Sequence, residues 1–270
     1  MTPFRMPDSK VVKITARTAL RSKWIEAISA SFLGLFAVIF VRILASILML
    51  NQDAGVHIAV VLTIVLFSVF AISPLFLGIV RFFWRLTDSA NDPLSSVFFY
   101  FGRKEDYLKS VKLTFIMVWR VFIAGFLCMM PYAFINIISG SWFYQFMGFE
   151  IPLWAPNLVL FESVLYIGGI MAAVLYVSRY YLVPVLVASN DDLLLLEAVH
   201  ISCMVSKRSV TSFLWLSVSL FGWIMLTVLL LPAIYTLPLI LCCYTVHSRF
   251  AMVNYNLVME QSENNAMGFY

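Results

Sequence analysis

The sequence predicts an all-α, polytopic transmembrane helix bundle of about six spans, with a cytoplasmic amphipathic elbow helix near residues 190–207. Three observations carry this expectation. Of 270 residues, 62% are hydrophobic and only 12% charged, with a mean hydropathy of +0.94; a soluble domain is roughly 25% charged. So much apolar surface cannot be hidden from water, which makes lipid the solvent. The apolar runs are about one bilayer long and show no strict alternation, which selects helices over barrel strands. Lys and Arg are also distributed very unevenly among the polar connections, as they are about a membrane.

The chain divides into a basic cytoplasmic arm (1–23), a six-span membrane domain (24–258) and a disordered cytoplasmic tail (259–270). In the arm, Lys10, Lys13, Arg17 and Arg21 recur at helical spacing, with Val11, Ile14 and Thr18 as a weaker apolar stripe. That pattern suits a helix lying on anionic headgroups. Span one covers about 25–50 and span two about 58–80, joined by the link NQDAGVH. Span two closes with RFFWR, where Arg81 and Arg85 are interfacial anchors. Span three covers about 119–138, followed by the lysine-free, aromatic loop SGSWFYQFMGFEIPLWAPN. Span four covers about 158–178 and ends on two further anchors, Arg179 and Tyr180. Pro184 comes next and interrupts any helical continuation. The run 210–248 is long enough for two spans with a turn near 231–236.

Between spans four and five lies SNDDLLLLEAVHISCMVSKRS, Ser189 to Ser209. Ser189 with Asp192 fits a capping box, and acids in the first turn suit the helix dipole. Acids at one end and bases at the other leave too short an uncharged run to cross a bilayer, so the segment is read as the elbow helix. Orientation follows from counting bases. The arm holds six Lys and Arg, the Arg81–Lys112 segment six, the Arg179–Arg208 segment three and the C-terminal end one, whereas the three opposite loops hold none. Both termini are therefore expected in the cytoplasm. The two basic segments also share landmarks: Arg81 and Arg179, Asn91-Asp92 and Asn190-Asp191, Lys109 and Lys207, a pattern compatible with an internal parallel repeat.

Charges within lipid are the strongest functional pointers here. Arg42 in span one and Glu162 in span four form a candidate intramembrane polar pair, either docking the two spans, snorkelling separately to the surface, or lining a path together with Asn136. Arg120 is expected to snorkel and His247 to be interfacial. Small residues four apart, Ala30/Gly34 in span one and Gly168/Ala172 and Gly169/Ala173 in span four, permit close helix approach and suggest span four as the bundle centre. No HExxH, GxSxG or phosphate-binding glycine motif occurs, and the four cysteines show no metal-ligand spacing. No catalytic residue, metal or cofactor is assigned. A net charge of only +4 excludes nucleic acid as an indicated partner; the indicated partners are membrane lipids, another membrane protein or a second copy.

The segment LEAVHISCMVSKRSVTSFLWLSVSLFGW, with PLFLGIVRFF and FYFGRKEDYLKSVKL upstream, resembles the bacterial integral-membrane family described as domain of unknown function 975. The matching positions are Glu197, Ala198, Ser202, Lys207, Arg208, Phe213, Leu216, Ser219, Phe221, Gly222 and Trp223. The resemblance implies a multi-span bacterial membrane protein and no mechanism. Function is accordingly expected to be that of a non-enzymatic accessory or scaffold component of the cytoplasmic membrane, the alternative being a small permease or exporter subunit.

Overall fold

With hydrocarbon as solvent, each backbone N–H and C=O must be paired within its own segment, and the apolar runs meet that demand as helices. The computed structural model describes residues 6–48, 54–88, 93–139, 159–227 and 230–267. Its elements are α1 (Ser9–Leu20), α2 (Trp24–Leu48), α3 (Ala54–Thr87), a 3₁₀ turn (Leu94–Phe98), α4 (Phe99–Gly102), α5 (Lys104–Ser139), α6 (Val159–Val177), a second 3₁₀ turn (Ser178–Tyr180), α7 (Val183–Ser189), α8 (Leu195–Leu226) and α9 (Leu230–Met267). Among the described residues six helical stretches are long and apolar enough to cross a membrane. The chain is a multi-pass, all-α membrane protein. It forms two compact units, one of Met1–Phe115 with Tyr181–Tyr270 and one of Ile116–Tyr180.

In the first unit, α1 is part of the core. Val12, Ala16 and Leu20 lie four residues apart on one face and are fully buried. Ala16 is small enough for α9 to approach, and its carbonyl accepts from Cys242 Sγ at 3.6 Å. Lys13 Nζ donates to the Ser219 carbonyl at 2.9 Å and to Ser219 Oγ at 2.6 Å. The stripe expected from sequence is displaced: Val11 and Ile14 are exposed, and α1 turns Val12, Ala16 and Leu20 into the unit. Around it, Ile79, Phe82 and Phe83 of α3, Leu216 and Leu220 of α8, and Leu239 and Val246 of α9 complete one core. Ala30 is buried, and a Cβ on Gly34 would come within 2.7 Å of Ile79, so the small face of α2 does serve close contact with α3. Within the first unit, among the described residues, the span inside α9 is the most buried, with Leu239, Cys242, Cys243 and Val246 in the core.

Prolines punctuate less than the sequence suggests. Pro74 and Pro238 lie within continuing helices, while Pro184 opens α7, where its missing N–H leaves no bond unmade. Pro232 falls in the first turn of α9, so residues 231–236, expected as a turn, are helical. α9 also runs to Met267 through most of the segment read as a disordered tail; once a helix exists each added residue gains a bond.

The elbow segment takes a form the sequence did not show. Ser189 Oγ donates to the Leu186 carbonyl at 2.9 Å and so belongs to the end of α7, while Asn190 Oδ1 accepts the Asp192 N–H at 3.0 Å, an Asx turn in place of the capping box. The helix starts at Leu195 and continues to Leu226, so the amphipathic turns are the first part of the fifth span's own helix. With neither Gly nor Pro before Gly222, nothing stops it.

In the second unit, α5 from Ile116 onward packs on α6. A Cβ on Gly169 would lie 2.8 Å from the Cys128 carbonyl oxygen, whereas Gly168 faces open space. Tyr132 and Tyr166 pair across the contact with ring centroids 5.1 Å apart. Arg120, expected to snorkel, donates through Nη1 to Tyr180 Oη at 3.2 Å.

Candidate functional site

The polar end of the first unit is organised around Arg81. α3 is 34 residues long, well beyond the roughly 20 that span a bilayer, so its last turns carry RFFWR toward the polar connections. Arg81 is only 3% exposed and forms a bidentate pair with Asp191: Nη1 donates to Oδ1, and Nη2 donates to Oδ2 at 2.9 Å. The guanidinium lies 3.7 Å from the centre of the Phe99 ring. A fork-shaped cation held through both Nη groups by a carboxylate and covered by an aromatic face suits Arg and not Lys. Arg81, expected as an interfacial anchor, is a buried clamp between the end of span two and the turn before span five.

Local sequence explains the geometry. A Cβ at Gly78 would lie 1.8 Å from the Val97 carbonyl oxygen, so only glycine lets the Leu94–Phe98 turn sit on α3 and bring Phe99 and Tyr100 over Arg81. On the other side the Asx turn at Asn190 directs Asp191 inward, and Lys109 Nζ donates to the Asp191 carbonyl at 2.5 Å. The Arg81 guanidinium holds the Asp191 carboxyl below the usual carboxylate range against the opposing effect of burial, with Lys109 and half-buried Arg85 adding to the lowering. Burial raises the Tyr100 hydroxyl, and Arg81 opposes that rise.

A second clamp lies at the rim. Arg249 Nη1 donates to Asp88 Oδ1 at 2.6 Å and to the Thr87 carbonyl at 3.2 Å, and Nη2 donates to the Trp84 carbonyl at 3.3 Å. A cation thus satisfies carbonyls at the C-terminus of α3, where the dipole favours it.

His247 proves to be fully buried, not interfacial. Tyr181 Oη lies 3.0 Å from Ser209 Oγ, to which it donates, and 3.4 Å from His247 Nδ1; Ser212 Oγ lies 3.3 Å from Nε2. Because the Tyr181 proton goes to Ser209, Tyr181 accepts from Nδ1–H, leaving Nε2 to accept from Ser212. Each polar atom of the ring therefore has a partner, and Tyr181 and Phe213 stack with centroids 4.1 Å apart, so this is a satisfied core network. Ser209 and Ser212 lie on one face at i, i+3, but nothing in the sequence links them to a histidine 35 residues later.

Arg42 is exposed on α2 in the first unit, and Glu162 lies in the first turn of α6 in the second. Arg179 is exposed in its 3₁₀ turn, whereas Tyr180 is 4% exposed and so is core rather than surface anchor. The proposed repeat diverges here: α3 runs unbroken through RFFWR, while RYYLVP breaks and restarts as α7, and Asn91-Asp92 lie outside the described residues. Among the described residues no group of three or more His, Cys, Asp or Glu could hold a metal. Comparisons with protein-family models, curated proteins and solved structures yield no match to the chain.

Proposed function

We propose that this multi-pass protein is a non-enzymatic accessory or scaffold component of a bacterial cytoplasmic membrane, with both termini cytoplasmic and its basic end turned to lipid headgroups or to a partner membrane protein. The observation that supports it best is the Arg81–Asp191 clamp. The most deeply buried charge among the described residues of the first unit is spent on tying span two to the turn before span five, with an aromatic ring over it, and so is committed to holding the shape of that end. A group committed in this way presents no charge to a passing solute. The likeness to the domain of unknown function 975 family belongs to the same reading, and the lopsided Lys and Arg count supports the orientation.

The test is purification of the full chain in mild detergent with identification of whatever co-purifies, alongside reconstitution into vesicles preloaded with amino acids, sugars and ions. Recovery of a stoichiometric membrane protein or lipid, without flux above that of empty vesicles, is the expected result. Saturable solute flux overturns it in favour of a permease. A cysteine placed between Trp142 and Trp154 should react with an impermeant reagent on intact cells; protection there, with reaction at residue 196, reverses the orientation.

A further inference from the structure

Beside the Arg81 clamp, a cleft of about 420 Å³ opens between the first turns of α5 and the Asp191–Leu195 turn. One wall carries Glu105, Lys109 and Lys112, which share a helix face at i, i+4 and i, i+7. The other carries Asp192 and the leucines that begin α8. Asp191 also borders the cleft, but its charge is already matched by Arg81. The other charges on the cleft are two cations and two anions, none of the four in an ion pair among the described residues; Lys109 gives one N–H to the Asp191 carbonyl and keeps two for a ligand.

The cleft lies among the polar connections of the first unit, walled by the first turns of two helices, from Lys104 and Leu195, that are each long and apolar enough to cross a membrane. Two leucines of the same turn face outward, Leu194 at 65% and Leu196 at 69% exposure. Leucines so placed gain by entering the acyl boundary, as in interfacial segments.

We propose that this cleft binds the headgroup of a zwitterionic phosphoethanolamine lipid, its phosphate on Lys109 and Lys112 and its ammonium on Glu105 and Asp192. This rests on the membrane reading above and names the lipid class for its basic end. Charge complementarity selects the headgroup. A phosphoglycerol has no cation for the two carboxylates, and a choline nitrogen has no N–H to donate. A primary ammonium brings three donors for carboxylate acceptors. The exposed leucines select a lipid over a soluble phosphoethanolamine, since only the lipid brings chains for them to meet.

Native mass spectrometry of the full chain, released from micelles doped with equimolar phosphatidylethanolamine, phosphatidylglycerol and phosphatidylcholine of one acyl composition, tests this. The wild type should retain phosphatidylethanolamine about fivefold over each of the others, the discrimination that one surface charge contact supplies. Lys112→Glu should reduce retention of both phosphatidylethanolamine and phosphatidylglycerol. Glu105→Gln with Asp192→Asn should bring phosphatidylethanolamine down to parity with phosphatidylglycerol; all three positions line a solvent-open cleft, and melting within a few degrees of wild type checks folding. If the double variant fails that check, Glu105→Gln alone should halve the preference. Preference for phosphatidylglycerol, equal retention of all three, or selectivity unmoved by the variants overturns the proposal. Selective retention together with solute flux would overturn only the scaffold reading, and absent selectivity without flux only this one.

Discussion

Arg42 and Arg81 both interrupt strongly apolar helices, and hydropathy weighs them alike, yet they meet opposite surroundings. Arg42 stands exposed on α2. Arg81 is buried, doubly bonded to Asp191 and capped by Phe99, residues 110 and 18 positions away in the chain. The difference lies not in the arginines but in what the connections deliver to them. Around Arg81, Gly78 admits a turn bearing aromatics and Asn190 shapes a turn bearing an acid; α2 presents its small residues to α3 a full two turns before Arg42. A charge in a membrane helix becomes structural when loops bring it a partner, and depth in the span is a poor guide to that.

The sharpest way to break this contrast is to remove the acid. Asp191→Ala should cost about 3 kcal/mol, the low end for a buried ion left unpaired because Asp191 itself is half exposed, read as a lowered unfolding temperature in detergent. Replacing both partners, Arg81→Met with Asp191→Leu, should recover most of that loss, since the buried charge is gone. A double variant as unstable as the single one would show that the ion pair is not the source. Next, Gly78→Ala should destabilise by about 1–3 kcal/mol, because its Cβ overlaps a backbone carbonyl that cannot swing away; an unaffected melting temperature would mean that the aromatic turn does not need α3.

Acid should reproduce the loss reversibly. The Asp191 carboxyl titrates lower when folded than when unfolded, so its contribution is complete above the ordinary aspartate value, about 3.9, and disappears as pH falls through the folded value. The stability difference between wild type and Asp191→Asn should thus be constant from neutral pH to about 5 and close below about 4. A gap that closes already between pH 7 and 6 would point to a different group. Arg249→Ala, at a clamp whose acid is 63% exposed, should cost only about 1 kcal/mol. Smallest of all, Arg42→Gln should change stability by less than about 0.5 kcal/mol. A loss comparable with that of Asp191→Ala would erase the distinction between the two arginines.

Much of the fold is legible in the chain, because its cause is local. Apolar runs of bilayer length need no knowledge of neighbours to be read as spans, and all six appear as helices. Boundaries were harder wherever two local signals competed. Ser189 and Asp192 have the spacing of a capping box, but Asn190 captures the Asp192 amide first, and the helix begins only at Leu195. The arm's buried stripe is Val12, Ala16 and Leu20 and not the stripe of Val11 and Ile14, since a small residue that admits α9 is invisible to a hydrophobicity count. The site residues were legible as types and not as partners: Arg81 was noticed for its aromatic setting, while the pairing with Asp191 spans a sequence distance over which no periodicity speaks.

By itself the sequence determined the solvent, the class of secondary structure and the number of spans, each a sum over neighbouring residues that composition and length decide. The tertiary structure alone decided which charge is buried, which acid meets it and which face of the first helix is core. Those outcomes depend on close approach at Gly78 and Ala16 and on the direction of one Asx turn, all short-range contacts between segments far apart in the chain.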